Sequence, residues 1–410
     1  MKSSKRKMRN FLCFVLTIFL VLGISITKVR AEEAEDGSGI LNTLPTNAPN
    51  DASGITVDAK SALLMEPNSG KIIYEKNSHE KLAPASVTKI MTMLLTMEAV
   101  DSGRIKLSDK VTVSENAKKM GGSSMILDTG EVRSVEELLK GIAIASGNDA
   151  AVAMAEYLAG TEEAFVKLMN DKAKSIGMND TSFKNCTGLS APGHLTSAYD
   201  ISTMSRELLK HSTILKYSGT YMETITEGRK TPIGLVNHNK LVRFFKGCDG
   251  LKTGFTEEAK YSISATAVRY GVRMLAVVVG SPTFKVRNRD ASMLLNYGFS
   301  KYDTKQIYTK GMDIQKVALN NQSDRFFIAK ACDDLKIIIE KGSTDKVTSK
   351  LIISNNKKEY KKGEVVGQCE VYVNEKLSGK VNVYCDRDIK RAGVISNMID
   401  NFIKLFDNSI

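Results

Sequence analysis

Histidine is scarce in this chain. Four occur in 410 residues, His79, His194, His211 and His238, and none stands at metal-ligand spacing from another, so no metal is expected, structural or catalytic. Cysteine is thin as well. Beyond Cys13 the chain keeps Cys186, Cys248, Cys332, Cys369 and Cys385, an odd set without a C-x-x-C. A Cys369–Cys385 bridge between neighbouring strands and free buried thiols are the two alternatives. No repeat of fixed period is visible. No basic stripe with interleaved aromatics occurs either, so nucleic acid is not expected as a partner. The net charge of +12 is concentrated at one end: the first 31 residues hold seven basic residues and no acid, and the remainder carries only +5. An anionic envelope surface is compatible with that residual charge.

That basic end has a recognisable shape. "MKSSKRKMRN" precedes the sixteen-residue apolar run "FLCFVLTIFLVLGISI", and "TKVRAEE" closes it, with Val29 and Ala31 as small residues before a cut. Residues 1–31 read as a secretory signal peptide, with an uncleaved signal anchor as the alternative. Residues 32–54 are acidic and then rich in Gly, Asn, Thr and Pro, a flexible linker. From Ile55 the periodicity is that of a folded α/β domain. "SALLMEPNSGKIIYEK" is a hairpin, and "SVEELLKGIAIASGNDAAVAMAEYLAG" is two helices broken at Ser146-Gly147-Asn148. "GLKTGFT", "AKYSISATAVRYG" and "VRMLAVVVGS" are adjacent antiparallel strands, and "VRNRDASMLLNYGFSKY" closes the domain near residue 303 as a helix. Residues 304–390 shift to Lys-rich alternating stretches, the pattern of a small all-β domain. Residues 391–410 form an amphipathic helix, with Val394, Ile395, Met398, Ile399, Phe402 and Phe406 on one face. Docking on its own domain and lying in a membrane interface are both open to it.

Three short motifs carry the chemistry. Ser86-Val87-Thr88-Lys89 opens a helix, Ser146-Gly147-Asn148 sits at a helix break, and Lys252-Thr253-Gly254 lies on a strand. Singly they are weak, since S-x-x-K recurs at Ser4, Ser78, Ser343 and Ser354. Together they supply what acyl transfer requires. A serine hydroxyl needs an adjacent base, and a lysine three residues on reaches it from the same helical face. Lys89 becomes a base only if its pKa falls, which burial and a second cation, Lys252, would both cause. The backbone N–H groups of Ser86 and Phe255 are candidate oxyanion donors, and Gly254 would let a substrate backbone lie against the strand. Ser146 can relay a proton to a leaving amine, and Asn148 can hold a substrate carbonyl or orient Lys89. Lys252 and Thr253 suit a free carboxylate. Ile90, Met91, Leu94, Leu95 and Met154, on the same helices, read as core.

The order and separation of these motifs resemble those of penicillin-binding proteins and class A β-lactamases. The longer blocks "LAPASVTKIMT", "NCTGLSAPGHLTSAYDIS", "GCDGLKTGFTEEAKYSISATA" and "RDASMLLNYGF" are similar to the D-alanyl-D-alanine carboxypeptidases of the low-molecular-weight penicillin-binding type. The resemblance implies the transpeptidase fold of that family, an antiparallel sheet with a helical cluster, followed by an all-β C-terminal domain and a terminal amphipathic helix. It implies a serine peptidase that removes the terminal D-alanine from peptidoglycan stem peptides outside the cytoplasm, that β-lactams acylate, and that needs no cofactor. Ser86 would form the acyl-enzyme, Lys89 accept its proton, Ser146 and Asn148 complete the site, and Lys252 with Thr253 contact the terminal carboxylate. Arg287 falls where the family has an arginine assisting with that carboxylate, with Arg289 the neighbouring alternative. Lys260 stands where a glycine is usual and Cys186 where a proline is common; neither is expected to touch the chemistry. A β-lactamase would add an E-x-x-L-N loop, which is missing. An endopeptidase acting on cross-links shares every motif, and a binding module that has lost catalysis is the alternative from another class.

Overall fold

The computed structural model describes residues 54–319, 326–353 and 359–389. The expected signal peptide, nearly all of the linker and the terminal helix at 391–410 lie outside the described residues. β1 (Ser61–Glu66) and β2 (Lys71–Lys76) form the expected hairpin around Pro67–Gly70. A 3-10 turn (Ala85–Thr88) leads into α1 (Lys89–Asp101), and the pair β3 (Lys110–Thr112) and β4 (Val132–Ser134) brackets the short α2 (Glu115–Lys118). Four helices follow, α3 (Val135–Ala143), α4 (Asn148–Ala159), α5 (Glu162–Ser175) and α6 (Ala198–Leu208), then the short α7 (Ile214–Ser218). A hairpin of β5 (Met222–Ile225) and β6 (Ile233–Val236) and the short α8 (Leu241–Phe244) lead to β7 (Cys248–Thr256), β8 (Lys260–Arg269) and β9 (Val272–Ser281). α9 (Phe284–Lys301) completes this part.

The five-stranded sheet runs β2-β1-β9-β8-β7 and is antiparallel throughout, which leaves β7 at an edge. Strand alternation makes it a two-faced layer. In β9, Leu275, Val277 and Val279 face the helical cluster, while Met274, Ala276 and Val278 face α9. α1 runs through the middle of the cluster, with Ile90, Met91, Met93, Leu94 and Met97 all buried, so it is apolar nearly all round. Side-chain caps start the helices where the sequence offers them. Ser134 and Glu137 form a reciprocal capping box on α3, and Thr161, Ser197 and Thr283 cap α5, α6 and α9.

The C-terminal part is all β. β10 (Tyr302–Tyr308) pairs with β13 (Leu335–Glu340), and a five-stranded sheet runs in the order β11 (Asp313–Ala318), β12 (Phe326–Ala331), β16 (Lys376–Cys385), β15 (Val365–Val373), β14 (Val347–Ile353). Its core is built on Phe327, Val366, Val371 and Val383. The cysteines beyond Cys13 are free thiols. Cys369 faces Val381 across the ladder and Cys385 faces Ala329, so the strand register separates the two.

Candidate active site

Ser86 stands on the 3-10 turn, one turn before the α-helix that the sequence pattern starts at it. The difference serves the chemistry, because side chains three apart eclipse in a 3-10 turn where they are only staggered neighbours in an α-helix. Lys89 therefore lies over Ser86, with Nζ 3.0 Å from Ser86 Oγ. Ala85, just before the serine, has φ +47, a conformation a non-glycine residue holds only when its surroundings enforce it.

Two glycines provide those surroundings. A Cβ on Gly254 would stand 3.0 Å from Pro84 O, Ala85 Cβ and Ser86 N. The glycine of the strand motif thus admits the serine's own turn against β7, in addition to any substrate backbone. Gly188, at φ +87, is tighter still: a Cβ there would lie 1.8 Å from Ala85 O and 2.8 Å from Ser86 N.

Lys89 Nζ has two further partners, Asn148 Oδ1 at 2.6 Å and Thr187 O at 2.7 Å. Asn148 is the first residue of α4, and its other amide atom, Nδ2, donates to Gly121 O at 2.6 Å, which fixes the orientation of the amide. Burial brings the Lys89 amine down to about 7, against which Asp149 acts weakly as the nearby negative charge. The Cys186 thiol, also within electrostatic reach, is held well above its ordinary value by burial and stays protonated. Cys186 therefore stands closer to the chemistry than its sequence position suggests, one residue from the Thr187 carbonyl that holds Lys89.

The repulsion expected between two ammonium groups falls on Lys252. Burial first, then the charges of Lys89 and Arg287, hold it well below the ordinary lysine value. Its Nζ donates to Thr253 O at 3.0 Å. Arg287 is buried too, is drawn down to about 10 by that burial, and donates to Asn288 Oδ1. Arg289 is committed elsewhere, to Asp58 and Asp290 at 2.6 Å each. Lys89, Lys252 and Arg287 thus gather three basic groups in one buried region, with no carboxylate ion-paired to any of them among the described residues. Such a region favours an anionic ligand.

Ser146 has φ +60 at the break between α3 and α4; its Oγ is buried and makes no hydrogen bond among the described residues. A buried hydroxyl without a partner is free to hand a proton to a group that enters the cleft. Phe255, on the edge strand, is half exposed and packs against Tyr261 at a tilt, with ring centroids 4.3 Å apart.

Several participants were not singled out from the sequence. The Thr187 and Gly121 carbonyls act through backbone atoms, which no residue-type pattern reveals. Asp149 binds the 124–127 segment, accepting from Ser124 Oγ and from the N–H groups of Met125 and Leu127. His238 projects between the buried Asn237 and Asn239. His238 is itself solvent-exposed; partial desolvation and then the fields of Lys252, Lys240, Arg287 and Lys89 lower its pKa, so it is neutral at pH 7. Its signal was the Asn-His-Asn tripeptide. Lys260 explains its own oddity: it holds φ +53 at the first residue of β8, where the turn from β7 ends, a backbone that suits glycine.

The chain is similar to known proteins in both of its parts. Residues 46–283 match the family model described as D-alanyl-D-alanine carboxypeptidase, and residues 302–391 match the C-terminal domain of penicillin-binding protein 5. The chain is 45% identical over 346 residues to D-alanyl-D-alanine carboxypeptidase DacF of Bacillus subtilis, covering 84% of this chain and 89% of that one. Its fold superimposes on a peptidoglycan synthesis regulatory factor from Streptococcus pneumoniae with a TM-score of 0.69 and 27% identity, covering 82% of this chain and all of the other. A penicillin-binding protein of Listeria monocytogenes, solved in an ampicillin-bound form, matches with a TM-score of 0.55 and 30% identity, over 61% of this chain and all of that one.

Proposed function

Because the chain belongs to the D-alanyl-D-alanine carboxypeptidase family of serine peptidases, we propose that it cleaves the terminal D-alanine from peptidoglycan stem peptides through an acyl-enzyme on Ser86. The observation that carries this assignment is the valence of Lys89. A neutral amine has two N–H donors and one lone pair. Asn148 Oδ1 and Thr187 O, which accept only, take the two donors. The lone pair is left facing Ser86 Oγ at 3.0 Å, ready to accept the hydroxyl proton.

The steps follow from that arrangement. As Ser86 Oγ bonds to the carbonyl carbon of the penultimate residue, its proton passes to Lys89 Nζ. Charge develops on the carbonyl oxygen beside the Ser86 and Phe255 N–H groups. The C–N bond then breaks, and the leaving amine takes a proton relayed by Ser146 Oγ from Lys89. Water repeats the sequence on the ester, delivering the acid and restoring Ser86. Lys252 and Arg287, with the Thr253 hydroxyl, hold the terminal carboxylate, the anion that unpaired basic groups call for. A β-lactam, with a strained amide and a carboxylate in similar relation, is the corresponding acylating inhibitor. Under the same proposal, residues 1–31 direct export, residues 55–303 and 304–390 are the catalytic and all-β domains, and residues 391–410 hold the enzyme at the membrane face.

The test is direct. Protein beginning at residue 32, incubated with diacetyl-Lys-D-Ala-D-Ala, should release D-alanine, and mass spectrometry should find a labelled penicillin on Ser86. The Lys89→Ala variant should fold and fail to acylate. Normal acylation of that variant would remove Lys89 from the role.

A further inference from the structure

The Thr187 carbonyl that holds Lys89 is itself held from behind. A trans peptide is planar, with its C=O and N–H pointing to opposite sides. In the peptide that joins Thr187 to Gly188, the carbonyl accepts from Lys89 Nζ at 2.7 Å, and on the far side the Gly188 N–H donates to Asn185 Oδ1 at 2.7 Å. One peptide plane thus links Asn185 to Lys89.

The rest of the Asn185 side chain is spent on the same loop. Its Oδ1 also accepts from Thr187 N at 3.2 Å and from Thr187 Oγ1 at 3.1 Å, and its Nδ2 donates to Leu189 O at 2.9 Å. The bond from Thr187 N is the turn that an asparagine side chain makes with backbone two residues on. The groups just before this peptide are pinned by other elements: Cys186 N donates to Glu162 Oε1 at 3.0 Å, and Cys186 O accepts from Thr92 Oγ1 at 2.8 Å. The 187–188 plane needs a clamp of its own because Gly188, at φ +87, has other conformations open to it at little cost. Rotation of that plane would withdraw the carbonyl and turn the Gly188 N–H toward Lys89, where a donor competes for the lone pair of the amine.

We propose that Asn185 is a positioning residue: its carboxamide oxygen fixes the Thr187–Gly188 peptide so that the carbonyl faces Lys89 and the lone pair of the lysine is left for Ser86. The inference rests on the carboxypeptidase reading above, with Lys89 as its base, and adds a residue that acts on that base through one backbone plane.

The experiment measures the second-order rate of penicillin acylation from about pH 5 to about pH 9 in the wild type, Asn185→Ala and Asn185→Asp, with the melting temperature of each. In Asn185→Ala the plateau should fall about tenfold or more, since the base is no longer aimed. The midpoint of the profile should move to lower pH, because the carbonyl that favours the ammonium form is withdrawn. Asn185→Asp keeps the acceptor. Its plateau should stay within about threefold of the wild type, and its midpoint should move to higher pH, because the added negative charge favours the ammonium. A lower melting temperature with an unmoved midpoint in Asn185→Ala would reduce Asn185 to a shaper of its loop and overturn the inference. So would a plateau in Asn185→Asp as low as that of Asn185→Ala. If Asn185→Ala does not fold, Asn185→Asp decides alone, and a midpoint at or below that of the wild type overturns the inference. A wild-type profile that is flat across pH 7 overturns Lys89 as the base, and this inference with it.

Discussion

Burying an amine without an ion-pair partner is costly, and Lys89 and Lys252 are both buried that way. The two amines are held differently. Lys89 donates to two acceptors on separate segments and lies 3.0 Å from Ser86 Oγ, whereas Lys252, among the described residues, bonds to the next residue's carbonyl. Nearby, His194 shows what a structural histidine looks like in the same fold. Its Nδ1 accepts from Lys184 N at 3.0 Å, so Nε2 carries the proton donated to Thr88 Oγ1 at 2.8 Å. Burial, aided by Lys184, draws its pKa from 6.5 to about 4. The folded state thus binds the proton less tightly than the unfolded chain does, so stability from this group is complete above pH 6.5 and is lost as pH falls through 4. The loss amounts to about 3 kcal/mol. Urea titrations at about pH 7 and about pH 4 should find that His194→Gln loses about that much less than the wild type; equal losses in both proteins would argue against it.

Among the elements, the 3-10 turn that carries Ser86 depends on its neighbours for its shape. Gly188 and Gly254 press on it from two sides, and α1 continues it. Gly188→Ala would drive a methyl group into the Ala85 carbonyl and force a strained φ. Together these should cost about 3 kcal/mol or more. Displacing the nucleophile should also slow penicillin acylation by about a hundredfold. Acylation at the wild-type rate would show that the turn holds itself. How far these elements were legible in the sequence depends on what set them. The hairpin at Pro67–Gly70, the break at Ser146–Asn148 and the strands β7 to β9 follow from apolar period and turn residues, and the structure has them all. That Ser86, Lys89 and Asn148 would meet was legible because their side-chain types and spacing mark them. Gly188, the Thr187 and Gly121 carbonyls and the positive φ of Ala85 were not, because backbone approach across long sequence distance leaves no local pattern. The 3-10 geometry at Ser86 was misread as α-helix for the same reason.

Among the described residues, a helical cluster and α9 cover both faces of one antiparallel sheet, and the proposed catalytic groups gather where the edge strand β7 meets the cluster. An edge strand has backbone groups to spare for a peptide laid beside it, which suits a substrate read by its main chain. The all-β part holds its own core around Phe327 and Val383 and contributes no residue to the proposed chemistry. Deleting residues 391–410 should therefore release the enzyme from membrane fractions without lowering turnover on a soluble peptide; unchanged membrane partition would leave that segment as a docked helix. The central claim is that Ser86 is activated by a neutral Lys89, and the pH profile of acylation tests it most directly. The second-order rate of penicillin acylation, measured from about pH 5 to about pH 9, should rise about tenfold per pH unit below about 7, where the buried amine loses its proton, and level off above. A profile that is flat across pH 7, or that falls as pH rises through it, would contradict the account.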